Sequence, residues 1–319
     1  DGEYNGLWTE WWNDENKSEV KNYKDGKNDG LTILYSPKDG VKLRKINFKD
    51  GEYNGLWTEW WNDENKSEVK NYKDGKLNGL ATGWFENGKK KWERTYKDGE
   101  FNGLYTQWYE NGKKEFELTY KDGKGDGLHT YWYKNGQKQT IGYYKQGKLN
   151  GLLSSWYQNG KKMSETSYID GKEEGFATSW YVSGEKRQDI NYLDGKLNGT
   201  QTWWYKSGKK DEERNYSKGV ENGIRTKWFE NEKLDVKTHY KNGIENGLRT
   251  EWRWDNGKKI MEAYFKDGNL DGPYYDWHSN GFQANVGRYK NGKEDGLWVI
   301  WSENGKTKSE KYYKDGKEQ

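Results

Sequence analysis

The residues able to do chemistry in this chain are three histidines, many carboxylates and a large store of aromatic rings. His129, His239 and His278 fall at different places in the repeat described below, so they form neither a ladder nor a metal cluster. Carboxylate pairs such as Glu115 and Glu117 have the i, i+2 spacing of a solvated strand face. No nucleophile motif, phosphate loop or dinucleotide fingerprint occurs. The Asp-Gly and Asn-Gly steps lack the dense, spaced carboxylates of a calcium loop and read as turn chemistry. With no cysteine, disulfides and thiolate metal sites are excluded. The expectation is a protein that is not an enzyme and carries no cofactor and no metal.

The rings remain. The 319 residues include 20 Trp, 26 Tyr and 8 Phe. Many recur at fixed positions and read as packing. Others exceed the pattern: Trp8, Trp12, Trp57, Trp61, Trp92, Trp203, Trp254 and Trp298. The candidate binding residues are Trp57, Trp61, Trp84, Trp92, Trp108, Trp132, Trp203, Trp254 and Trp298. Of these, Trp57, Trp61, Trp84 and Trp92 lie in adjacent units and are expected to build one patch. Such rings suit protein hot spots, sugar faces or quaternary ammonium groups.

What must position them is unusual in composition. Apolar residues make up 30% and charged residues 34%, which excludes a large aliphatic core and a transmembrane span. Basic residues number 55 and acidic residues 52, for a net charge of +3. Only eight of the basic residues are arginine, so neither counterion release nor bidentate base reading points to nucleic acid. The absence of cysteine fits an exported protein.

Self-similarity dominates. Units start at Asp1, Asp25, Asp50, Asp74, Asp98, Asp122, Gln146, Asp170, Asp194, Lys218, Asn242, Asp267 and Asn291, and a partial unit covers 315–319. Eleven units have 24 residues and two have 25. Gly holds the second and sixth positions of all thirteen, and Trp the eleventh in twelve. Residues 1–27 and 50–76 are identical, the mark of a two-unit duplication. The domain reading is one continuous array over 1–319. Because the first unit equals an internal one and the last is incomplete, the chain reads as a segment of a longer array, or as one that joins end to end through open sheet edges.

Within Asp98–Lys121, Leu104–Tyr109 and Lys114–Tyr120 have strand character, with Asn111-Gly112 between them. Asn-Gly there predicts a two-residue type I′ turn. That turn places Tyr120 opposite Gly103 and puts Trp108 on the face of Leu104 and Thr106. The chain becomes a meander of about 26 strands. The turn is in question where the middle Gly is missing, at Glu15, Glu64 and Glu232. A longer turn or bulge is expected in the 25-residue units, at Ser36–Gly40 and Arg253–Gly257. A lone hairpin is marginal in water, so units must stack, Trp on Trp and Tyr on Tyr.

Residues 120–137, YKDGKGDGLHTYWYKNGQ, resemble the bacterial variant of the MORN repeat. The resemblance implies an all-β fold: an elongated, twisted or curved single-sheet array of about thirteen stacked antiparallel hairpins with a groove. It implies scaffolding, protein–protein contact or self-association. It also brings an antitoxin or immunity role against a toxin, a bacterial surface or extracellular setting, and lipid contact into view. The expected partner is another protein or a second copy, end to end or lateral. A toxin is one such protein. A cell-wall glycan or choline-type ligand in an aromatic groove is the alternative.

Overall fold

The computed structural model describes residues 3–319. The opening Asp1-Gly2 step of the first unit lies outside the described residues. Those described form 33 strands and no helix. Seven strands are two-residue stubs, and the others are the roughly 26 long strands expected of the meander. Contacts group the chain into two compact units, Asp1–Gly160 and Lys161–Gln319, and each is built from the same antiparallel hairpin.

The tight turn is not where the Asn-Gly signal put it. In Asp98–Lys121 the two-residue turn is the joint, Asp98-Gly99, with φ of 52° and 92° and Lys97 paired to Glu100. Positive φ at both central residues is the type I′ geometry. Every described joint repeats it: Asp25, Gln146, Lys218 and Asn291 all have φ near 50°. The middle loop instead has three residues. The Gly112 N–H donates to the Tyr109 carbonyl (2.8 Å) and the Tyr109 N–H to Lys113 (2.9 Å). Only Gly112 is left-handed there, at φ 85°. The loop's extra residue offsets the strands by one, and a bulge at Glu115 restores them, since Gln107 faces Phe116 while Trp108 faces Lys114. The two offsets cancel, so Tyr120 does lie opposite Gly103.

Units without the middle Gly still turn. Glu232 takes φ 69° itself, and its N–H reaches the Phe229 carbonyl at 2.8 Å. At Glu15 and Glu64 a side chain substitutes: Asn13 Oδ1 accepts from the N–H groups of Glu15 and Asn16, and Asn62 does the same for Glu64 and Asn65. The 25-residue units have the longer loop expected, closed by Gly40 onto Ser36 (3.0 Å) and Gly257 onto Arg253 (2.9 Å).

Both margins are stitched from one repeat to the next. At the joint margin the Gly99 N–H donates to the Leu77 carbonyl and the Gly123 N–H to Phe101 (2.8 and 2.9 Å). Position five caps the next turn, as Asn102 Nδ2 does on Asp122 (3.2 Å) and Asn198 Oδ1 does for the Lys218 N–H (3.4 Å). At the loop margin the Tyr109 hydroxyl donates to the Trp132 carbonyl and Tyr205 to Trp228 (2.8 and 2.7 Å). Asn111 Nδ2 reaches the Lys134 carbonyl at 2.8 Å. These bonds satisfy turn backbones that a single hairpin leaves open.

The core is a row of paired residues at the eighth and twenty-first positions. In Asp1–Gly160 it runs Ala81, Arg94, Tyr105, Leu118, His129, Gly142; in Lys161–Gln319 it includes Thr238, Arg249, Ala263, Tyr274 and Gly287. In several pairs a large side chain faces a small one: Arg94 faces Ala81, His129 faces Gly142 and Tyr274 faces Gly287. Ala81, Leu118, His129, Gln201, Thr238, Ala263 and Trp298 are all buried. An added Cβ on Gly287 would come within 2.2 Å of the Trp298 indole, and one on Gly142 within 2.4 Å of His129.

Candidate functional site

Alternation gives the sheet two side-chain faces. One carries the core row and the tyrosines; the other carries the eleventh-position tryptophans. The expected Trp-on-Trp stacking is replaced by a lysine from the preceding repeat. Lys114 Nζ lies 5.7 Å from the Trp132 ring centre and also pairs with Glu117. Lys90, Glu93 and Trp108 repeat the arrangement, as do Lys186, Asp189 and Trp204, and Lys210, Glu213 and Trp228. Each cation thus joins a ring to a carboxylate across the repeat boundary. The tyrosine side keeps ring stacking, but through intermediaries. Phe101 lies between Tyr96 (4.8 Å) and Tyr120 (5.2 Å), and Tyr53 contacts Phe48 and Tyr72.

On the tryptophan face, position seven points out. In Asp1–Gly160, Leu7, Leu56, Leu80, Leu104, Leu128 and Leu152 are 47–69% exposed, Leu31 between the first two is half-buried, and from Leu56 on consecutive ones are two strands, about 10 Å, apart. Phe176, Ile224 and Leu297 continue the position in Lys161–Gln319. Sequence reading missed this row because it weighed rings; Leu directly after nine of the thirteen sixth-position glycines was the available signal.

The nine candidate tryptophans separate into distinct surroundings. Trp61, Trp84 and Trp92 come together with Trp60, Glu59, Ser67, Glu68 and Lys91 around a groove of about 340 Å³. Trp61 is 53% exposed and its Nε1 donates to the Trp84 carbonyl (3.1 Å). Trp92 lies against Gly83, where an added Cβ would meet it at 2.4 Å, and carries the Arg94 guanidinium at 4.4 Å. Trp57 is not part of that lining. It contacts Lys70 (4.7 Å) and Arg44 (5.8 Å). Trp108 and Trp132 belong to the lysine ladder, and Trp203 lies 5.3 Å from Arg214. Trp254 is 68% exposed in the longer loop. Trp298 is 7% exposed, packed against Tyr274 and Tyr289.

The histidines are structural. His239 Nδ1 meets the Leu248 carbonyl and His278 Nε2 the Trp301 carbonyl, both at 2.9 Å. His129 lies between Tyr144 (4.8 Å) and Tyr131 (5.9 Å), and burial pushes its imidazole below the ordinary value. In Lys161–Gln319 an ion network crosses the core face. Glu212 takes Arg214 (2.9 Å) and Arg225 (2.5 Å); Arg249 takes Glu245 (2.9 Å) and Glu251 (2.5 Å). Burial opposes the Glu212 charge, but its two guanidiniums outweigh that and hold the carboxyl below the usual range. Asp235, beside a cavity of about 210 Å³ with Arg225 and Arg249, is raised by burial. Burial, with the Asp211 carboxylate beside it, lifts Tyr205 to about 12, and its hydroxyl donates to the Trp228 carbonyl. Among the described residues no group of three or more His, Asp or Glu could hold a metal ion, and no helix is long and apolar enough to cross a membrane.

An all-β array of hairpins with a 24-residue period, stitched at both margins, defines a hairpin-repeat protein. Six segments, 101–122, 125–146, 149–170, 197–218, 221–242 and 294–315, match the MORN repeat variant family. Each match runs from the fourth position of one repeat to the first of the next. No curated protein matches the chain. Among solved structures, a crystal structure of TcdB2-TccC3-Cdc42 is 10% identical, covering 85% of this chain and 19% of its own, with a TM-score of 0.18. A crystal structure of TcdB2-TccC3 is 12% identical, covering 94% and 18%, with a TM-score of 0.19. This chain spans under a fifth of theirs, and likeness at these scores carries no argument about fold or function.

Proposed function

We propose that the chain is a non-enzymatic scaffold that acts by contact with another protein. The observation that carries this reading is the leucine row. Packing and margin bonds occupy most of the rings, with Trp61 and Trp254 among the exceptions, while Leu56, Leu80, Leu104, Leu128 and Leu152 stand exposed in consecutive repeats. An ordered apolar row on a sheet this polar fits a protein partner better than it fits solvent. A second copy of the chain, laterally or end to end, and a toxin held by an antitoxin are two forms of such a partner. The test is tagged purification from the source cells of the wild type and of a variant with Leu56, Leu80 and Leu104 changed to Glu, together with light scattering for self-association. All three side chains are exposed, so the variant keeps its circular dichroism. The reading expects a stoichiometric partner, or a defined oligomer, that the variant loses. A monomer without partner in both proteins, or equal recovery with the variant, contradicts it.

A further inference from the structure

Trp61 also borders a second cavity of about 510 Å³, lined with Ser36, Asp39, Val41, Leu43, Asn62, Asp63 and Glu64. Trp61 is the wall common to both. The carboxylates divide into two sets. Glu59 is paired with Arg44 (2.8 Å) and Glu68 with Lys70 (2.5 Å). Asp39, Asp63 and Glu64 have no ion pair among the described residues, and all three lie on exposed loops. The one cation in the paired lining, Lys91, is turned to the Phe85 ring at 5.7 Å. The rings are held in place beforehand: Trp61 by its bond to the Trp84 carbonyl, Trp92 by its seat on Gly83. The Ser67 hydroxyl lies in the wall, buried and without a partner. The Val41 N–H and Ser36 hydrogen-bond Asp39, but a fixed indole face next to carboxylates that lack an ion pair is still complementary to an alkyl stem with a cationic head.

We propose that the groove around Trp61 receives a lysine- or arginine-bearing segment of a protein partner, its cationic groups at Asp39, Asp63 and Glu64 and its stems on Trp61 and Trp92. The proposal rests on the protein-binding reading above but uses a different surface from the leucine row. The duplication supplies an internal control. Trp12 has the same flanking sequence as Trp61 and makes the same bond, to the Tyr35 carbonyl, but the repeat that follows it has no counterpart of Trp92.

The experiment uses the whole chain and two fluorescein-labelled nine-residue peptides, one alternating lysine and leucine, the other glutamate and leucine, read by anisotropy. The lysine peptide is expected to bind and the glutamate peptide not to. D63N/E64Q should weaken binding at least tenfold and W61A at least fivefold, with W12A and W254A within twofold of wild type. Affinity should fall as salt rises from about 50 to 300 mM. No binding of the lysine peptide, binding of both peptides alike, or an equal loss in W12A overturns the proposal. Circular dichroism of each variant separates lost contact from lost fold. If the peptide fails while the leucine-row variant still loses its native partner, the groove assignment falls and the scaffold reading stands. If the peptide behaves as expected while no partner or oligomer exists to lose, the scaffold reading falls.

Discussion

At the scale of single residues, backbone handedness and close packing set the cost of change. Lys218 holds φ 52° at a joint where most units have Asp or Asn. A left-handed backbone costs an ordinary L-residue roughly 1–2 kcal/mol, and Asn tolerates it better. Lys218→Asn is therefore expected to stabilise the chain by about 0.5–1 kcal/mol, read as a higher urea midpoint. Gly83→Ala has the opposite sign. Its φ is ordinary, so the penalty is steric: the new methyl meets Trp92 at 2.4 Å and the indole must move. A loss of about 1–3 kcal/mol with a changed tryptophan emission is expected. His129 gives a pH effect. Its folded pKa lies below the ordinary imidazole value of about 6.5, so well above that pH the ring is neutral folded and unfolded alike. As pH falls from there through the folded value, the unfolded chain takes the proton first and stability is lost. The fall in urea midpoint between pH 7.5 and 5.5 should be smaller in His129→Leu than in wild type.

At the scale of the hairpin, the two turns differ in how much change they absorb. The joint is a two-residue turn whose N–H groups are already engaged by the preceding repeat, while the middle loop occurs naturally in two lengths. One residue inserted after Asn111 is expected to lower stability by less than about 1 kcal/mol, because Ser36–Gly40 shows the longer loop fitting. One residue inserted between Asp98 and Gly99 should cost several times more, since it breaks the type I′ turn and the bond to Leu77 together; paired urea titrations compare them. Strand positions, the Tyr120–Gly103 pairing and the shared face of Trp108 and Thr106 were legible in the glycine spacing and the alternation. The loop type was not, because Asn-Gly and Asp-Gly both permit positive φ and only the repeat-to-repeat bonds decide which turn is tight. Nor was lysine between the tryptophans, for a lysine eighteen residues before each ring has no local signal. That Trp61, Trp84 and Trp92 stand in adjacent units was legible, whereas the carboxylates near Trp61 came from loops whose adjacency only stacking creates.

At the scale of the whole molecule, the claim is that a repeat is ordered by its neighbours. Everything that crosses a boundary does so at fixed offsets: the lysine–tryptophan contacts, the tyrosine-to-carbonyl bonds and the glycine N–H bonds at the joints. Those offsets are met again if one whole repeat is taken out, and missed if half of one is. The most direct test compares two deletions within the first compact unit, residues 98–121 and residues 98–109, by far-ultraviolet circular dichroism and urea denaturation. The 24-residue deletion should keep the β signal per residue and a cooperative transition close to that of the full chain, while the 12-residue deletion should lose cooperativity. Equal damage from both, or equal tolerance of both, would contradict order shared between repeats.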